Sequence, residues 1–145
     1  EFLKFDLTNV NLSEYFQSDE TNIVMCLYNT LGVIPSDKRQ KFIDNMKSIA
    51  GEKGLVILSV FNGDDFGFVS PELYNPMMPM IKQIDQNSFD ETNKVFQNGL
   101  GFRSQWFTKN ELKIMLDTNV EPIPINVTIN DTSHTFGNVF IDRNI

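Results

Sequence analysis

The sequence predicts an α/β domain built around parallel strands, and three features predict it. Ile23-Val24-Met25-Cys26-Leu27-Tyr28 and Gly54-Leu55-Val56-Ile57-Leu58-Ser59-Val60-Phe61 are near-continuous apolar runs of strand length, the pattern of strands covered on both faces. An amphipathic helix lies between them, so strand, helix, strand reads as a βαβ crossover. Near the end of the chain Ile125, Val127 and Ile129 alternate with Asn126 and Thr128. That period of two predicts a terminal antiparallel hairpin with Phe136 to Ile141.

The elements follow in order. Phe2 to Asp6 alternates apolar and polar residues and reads as a strand ending near Asp6. Leu12 to Phe16 has room for a helical turn, and Asp19 to Asn22 is a polar break. Asn29 to Pro35 reads as a loop, and Ser36 as a helix N-cap with Asp37 in the first turn. Phe42, Ile43, Met46, Ile49 and Ala50 mark one helix face, which Gly51 and Gly54 end. From Pro71 to Asp85, Leu73, Tyr74, Met77, Met80, Ile81 and Ile84 fall at helical spacing, with Pro76 and Pro79 bending or delaying the helix. Phe89 to Phe96 and Phe102 to Phe107 show period two around Gln97-Asn98-Gly99 and read as an inserted hairpin. Thr108 followed by Glu111 is a capping box opening a helix with Leu112, Met115 and Leu116 on its apolar side.

Composition narrows the function classes. A chain of 145 residues fits a single domain, and 13 Phe exclude an acidic disordered chain. With 12 Lys plus Arg against 19 Asp plus Glu, the net charge is -7. That argues against a nucleic-acid partner, which needs clustered cations, and against an anionic membrane surface. The apolar runs are too short to span a bilayer. One Cys and one His fall short of a zinc set, so no metal is expected. The sequence points to a reduced, cytoplasmic protein.

Several residues invite a chemical reading. Gly99-Leu100-Gly101 lacks the third glycine and the strand-to-helix context of a phosphate loop, and reads as a turn. Asp64-Asp65 after a strand reads as a solvated turn. Met77-Met78-Pro79-Met80 suits an adaptable apolar pocket or plain core packing. Trp106 reads as core on one strand face, and His134 as a turn residue beside Asp131. Asp6 is different: a carboxylate at the carboxyl end of a strand in an open α/β sheet lies where ligands bind. Tyr28-Asn29-Thr30-Leu31-Gly32 leaves a parallel strand at that same edge.

Taken in order, these segments resemble the second half of a class I S-adenosylmethionine-dependent methyltransferase domain. Phe5-Asp6-Leu7-Thr8-Asn9 is similar to the acidic end of that family's third strand, and Ile23 to Gly32 to its fourth strand and loop. Gly51-Glu52-Lys53-Gly54 resembles the turn into its fifth strand, where Pro-Gly-Gly is common. Phe107-Thr108 to Leu116 resembles a helix of the family, and the last hairpin its strands six and seven. The resemblance implies a partial Rossmann-like methyltransferase sheet, mostly parallel, with a terminal antiparallel hairpin and an inserted hairpin or lid. It implies one partial domain over residues 1–145, with 66–107 as a substrate-side insertion or lid.

The resemblance also implies S-adenosyl-L-methionine as cofactor. Asp6 would accept from the adenine amino group and Leu7 pack on the ring, while Leu27, Tyr28 and Asn29 would line the methionine side. On the substrate side the candidates are Tyr74, Met77, Trp106 and His134. The family's glycine-rich loop and the acidic end of its second strand have no counterpart here. Its sheet order, 3-2-1-4-5-7-6, sets two strands between the one ending at Asp6 and the one starting at Ile23. The expectation is therefore the C-terminal portion of an enzyme methylating a small molecule, inactive alone, as a homodimer or joined to its missing half. A non-catalytic methyltransferase-like interaction module is the alternative, and a different α/β enzyme without cofactor a weaker one.

Overall fold

The computed structural model describes residues 4, 6–8 and 21–143. The strand expected over Phe2 to Asp6 falls largely outside them, and the helical turn expected over Leu12 to Phe16 wholly so. The first described strand, β1 (Ile23–Cys26), leads into the one-turn helix α1 (Thr30–Val33), where a loop was expected. Ser36 does not cap a helix. It opens a 3-10 turn, Ser36–Lys38, and α2 (Arg39–Ala50) follows directly, with no side-chain cap. Helix α2 buries the stripe read from the sequence, Phe42, Ile43, Met46, Ile49 and Ala50. It ends at Gly51, whose φ of 67° suits glycine and whose N–H donates to the Lys47 carbonyl at 3.0 Å. Strand β2 (Leu55–Phe61) then pairs parallel with β1, completing the crossover.

The next segment is more broken than its periodicity implies. Helix α3 (Phe66–Tyr74) starts ahead of Pro71, a 3-10 turn covers Asn75–Met77, and α4 (Met78–Ile81) ends at Lys82, φ 59°. Pro76 and Pro79 each fall in the first turn of a new piece, where the missing N–H costs nothing. The expected inserted hairpin is instead a three-stranded sheet of β3 (Phe89–Asp90), β4 (Val95–Gln97) and β5 (Arg103–Gln105). Phe89 to Phe96 cannot run as one strand because Asp90 caps a turn. Its Oδ1 accepts from the Asn93 N–H at 3.0 Å, and Lys94 at φ 54° sends the chain back.

Helix α5 (Lys109–Leu116) opens with the predicted capping box. Thr108 Oγ1 accepts from the Glu111 N–H at 3.2 Å, and Glu111 Oε2 accepts from the Thr108 N–H at 2.7 Å. Strands β6 (Ile123–Ile129) and β7 (Thr132–Asp142) form an antiparallel hairpin. Its turn is only Asn130-Asp131, at φ 49° and 62°, the left-handed pair that a tight hairpin needs.

The main sheet has the order β1-β2-β7-β6, which is the 4-5-7-6 order implied by the resemblance. The expectation of a mostly parallel sheet is corrected. Among the described strands of this sheet β1–β2 is the one parallel pairing, and β2–β7 and β6–β7 are antiparallel. The terminal hairpin supplies half of the strands, so parallel pairing is the minority.

A second correction concerns cover. Helices α2 and α5 pack on one face of the sheet around Cys26, Val56, Leu58, Val60 and Phe140. The opposite face carries Met25, Ile57 and Ile141 in one cross-strand row and Ser59, Val139 and Ile123 in the next. Ile23 and Met25 are each 62% exposed there, and Leu27, Ile123 and Ile141 are exposed beside them. Near Phe61 that same face is covered by a second cluster of Phe66, Val69, Tyr74, Phe96 and Trp106.

The α5 cap gives a direct check on local stability. Thr108→Ala removes the acceptor for the Glu111 N–H, and chemical denaturation should show a loss of about 1 kcal/mol.

Candidate functional site

Ligands in open α/β sheets bind beyond the carboxyl ends of parallel strands, and here that edge has an unusual backbone. Tyr28 and Asn29, just past β1, both adopt left-handed conformations, φ 56° and 58°. Asn tolerates that region, while for Tyr it is strained. Hydrogen bonds to β2 hold the turn. The Tyr28 N–H donates to Ser59 Oγ at 2.7 Å and the Asn29 N–H to the Ser59 carbonyl at 3.0 Å. The result points the Asn29 side chain inward and leaves Tyr28 outward, 73% exposed, its ring edge-on to Phe61 at 5.5 Å.

Asn29 is 2% exposed. Its Oδ1 accepts from the Phe61 N–H at 3.1 Å, and its Nδ2 donates to Ser104 Oγ at 2.9 Å and the Gln105 carbonyl at 3.0 Å. An exposed ligand-facing asparagine is what the sequence suggests. The structure makes it a tie between β1, β2 and β5 that also forms part of a pocket wall.

That pocket is an apolar cavity of about 240 Å³. Tyr28, Asn29 and Phe61 form its sheet side, Tyr74 and Met77 its α3–α4 side, and Phe102 with Ser104 its β5 side. Tyr74 is stacked on Phe96 at 3.7 Å, and its Oη accepts from Trp106 Nε1 at 3.1 Å. Burial pushes the Tyr74 hydroxyl above its usual pKa, only partly offset by hydrogen bonds with Ser104 and Trp106. It therefore stays protonated near neutral pH and acts as a donor, not a base. Cys26, buried beneath the sheet, is pushed up to about 11 by loss of solvent, so it is no nucleophile.

Of the candidate site residues, Tyr28, Asn29, Tyr74 and Met77 come together in this cavity. Trp106 is fully buried and does not line it, lying behind Tyr74, whose hydroxyl it donates to, and Phe61, whose ring lies 4.8 Å away. Leu27 lies on the open side of the sheet, outside the lining. His134 is elsewhere, stacked on Phe68 at 5.2 Å with Nδ1 3.8 Å from Asp65. Asp6 Oδ1 accepts from the Thr8 N–H at 2.9 Å and Thr8 Oγ1 at 2.7 Å. Leu7 packs against the α2 side of the core, and its carbonyl accepts from Asn45 Nδ2 at 2.7 Å.

Phe61, Phe102 and Ser104 were not singled out from the sequence. Phe61 could have been, as the last residue of an apolar strand at its carboxyl end. The site also depends on Gly32. A Cβ there would collide with the Gln105 carbonyl and the Asn29 side chain, which lets α1 lie against β5.

Two substitutions test this arrangement. Asn29→Ala leaves the Phe61 N–H unpaired and places alanine in a left-handed conformation, so denaturation should show a loss of about 2–4 kcal/mol. Gly32→Ala should separate α1 from β5 and lower the melting temperature, whereas Gly67→Ala, which meets only the end of Glu91, should change it little.

No sequence-family model and no curated protein sequence matches the chain. Among solved structures it resembles the crystal structure of an S-adenosylmethionine-dependent methyltransferase from Clostridium acetobutylicum ATCC 824. The TM-score is 0.58 at 11% sequence identity, covering 94% of this chain and 61% of that one. The chain thus spans less than two thirds of that protein's length, and over that span it shares the fold of an S-adenosylmethionine-dependent methyltransferase.

Proposed function

We propose that this chain is the C-terminal, acceptor-side portion of a methyltransferase that uses S-adenosyl-L-methionine to methylate a small molecule. The observation that carries the reading is the apolar cavity at the carboxyl ends of β1 and β2, with the strained Tyr28-Asn29 turn at its lip. In this reading residues 66–107 are the substrate-side insertion, since α3, α4 and β5 supply the outer walls.

The cofactor fits these residues only in part. At about 240 Å³ the cavity is below the range of pockets that enclose whole cofactors, roughly 300–1,000 Å³. Among the described residues no carboxylate, the group suited to pair with ribose hydroxyls, lines it. Tyr28 and Asn29 suit its methionine end, whereas Leu27 lies outside the lining, and Asp6 and Leu7 are assigned to adenine apart from the cavity. The bound cofactor supplies an electrophilic methyl group. The chain's own residues do the rest: Phe61, Met77 and Phe102 exclude water, and the Tyr74 hydroxyl is held fixed by Trp106. Methyl transfer depends largely on alignment, so the lack of a base in the cavity is no obstacle.

Association belongs to the same proposal. The open face at Ile23, Met25, Ile57 and Ile141, with β1 at an edge that has no second neighbour among the described residues, supports pairing with a second copy of this chain when it is alone. The non-catalytic interaction module draws on that same open face.

Titration calorimetry with S-adenosylhomocysteine decides between enzyme and module. Saturable heat is expected, and its absence at millimolar ligand favours the module. Tyr28→Gly keeps the left-handed backbone but removes the ring, so it should hold the melting temperature and weaken binding by about tenfold. Light scattering should give a mass near twice 16.7 kDa, reduced to a monomer by Met25→Lys. A monomer without that substitution overturns the association.

A further inference from the structure

Strand β5 separates two cavities of opposite character. Successive side chains of a strand face opposite sides, and here Ser104 lines the apolar cavity while Arg103 and Gln105 line a polar one of about 390 Å³. Lys94, Thr92 and Ser36 add an ammonium group and two hydroxyls to its walls. Two carboxylates, Asp90 and Glu111, are present as well; each is engaged by hydrogen bonds, and the Asp90 charge also interacts with Arg103. Asp90 accepts from the Asn93 N–H at 3.0 Å and from Asn93 Nδ2 at 2.7 Å. Glu111 Oε2 accepts from the Thr108 N–H at 2.7 Å and Thr108 Oγ1 at 2.8 Å.

Behind the Gln105 wall lies Arg39, 4% exposed. Its Nε donates to the Ile34 carbonyl at 3.0 Å, and its guanidinium rests over the Phe107 ring at 5.1 Å. Its Nη1 donates to Gln105 Oε1 at 2.7 Å, while Nη2 is buried with no partner among the described residues. No carboxylate lies within ion-pair distance of it among the described residues. Burial, with the charge of Arg103 as a second cause, holds its pKa below the usual arginine value. A buried cation without an anion is costly, and the site lacks the counter-charge that would offset it.

Gln105 carries this charge to the cavity. Its Oε1 is taken by Arg39, so the amide group it has left to offer is Nε2, a donor of two protons. We propose that this cavity binds a small oxyanion, a carboxylate or phosphate group, gripped by Arg103 and Lys94, with Gln105 as a neutral donor and Arg39 as the positive charge behind it. A guanidinium fork and an ammonium group are the pair of groups that such oxygens recognise. The proposal does not depend on methyl transfer, because the polar cavity lies across β5 from the apolar one.

Calorimetric titration of the full chain with inorganic phosphate and, separately, with malonate at constant ionic strength tests the site and distinguishes the two sources. One of them should bind saturably at one site per chain. Arg103→Gln, on an exposed side chain, should leave the melt unchanged and weaken that binding by about tenfold or more. Gln105→Glu supplies the missing anion to Arg39 from within, so it should raise the melting temperature and abolish binding. Saturation by neither anion overturns the proposal, and so does binding that persists unchanged in both variants.

Discussion

The buried side chain of Asn29 fixes how the sheet meets everything packed at its carboxyl end. One carboxamide accepts from β2 at Phe61 and donates twice to β5, at Ser104 and Gln105. It can do so only because the backbone at Tyr28 and Asn29 turns left-handed, which swings the Asn29 side chain inward from a strand end that would otherwise project it elsewhere. The Asn29 carbonyl then accepts from the Gly32 N–H at 2.9 Å, starting α1 in the space a Cβ at position 32 would fill. Remove the carboxamide and three elements lose their common point: β5 is no longer drawn to β2, α1 has nothing to close against, and the cavity loses two of its sides.

How far this was legible in the sequence depends on the range of the interaction. Strand β2, helix α2 and the α5 capping box were legible because each is set by spacing within a few residues: the apolar run, the Phe42 to Ala50 stripe, the Thr108–Glu111 pair. The inserted sheet was misread because period two was counted through a turn. Asp90 reaches Asn93 and Lys94 is left-handed, and neither alters the alternation of apolar residues. Asn29 was read as exposed for the same reason. Its three partners lie at Phe61, Ser104 and Gln105, and no local pattern announces a bond across more than seventy positions. Tyr74 and Met77 were found because an apolar stripe marks a surface that must be buried against something, though not against what.

The open side of the main sheet shows the limit of reading burial from composition. Apolar residues on both faces of β1 imply cover on both faces, yet among the described residues helices cover β1 itself on one side only. The cover that exists on the other side begins at Phe61, where α3 and the three-stranded sheet pack around Trp106. The boundary follows from connectivity. The chain between β2 and α5 leaves from the carboxyl end of β2 and folds back over that end alone, so the Ile23, Met25 and Ile141 end stays bare. Apolar content thus records what the face is suited to meet, while chain path decides what it meets within one molecule.

Strand β5 joins these threads, although it is only three residues long. Its middle residue, Ser104, turns to Asn29 and the apolar cavity, and its flanking residues, Arg103 and Gln105, turn to the polar one. Gln105 is shared between both systems: its carbonyl accepts from Asn29 and its side-chain oxygen from Arg39. The buried guanidinium therefore sits two hydrogen bonds from the turn at the lip of the apolar cavity. A charge kept this deep, with one nitrogen unpartnered among the described residues, costs the fold desolvation that must be set against its two hydrogen bonds and the Phe107 ring. Its position is intelligible as a fixed positive potential behind Gln105, and through Gln105 anything that stabilises that charge also steadies the strand on which the wall of the other cavity is built.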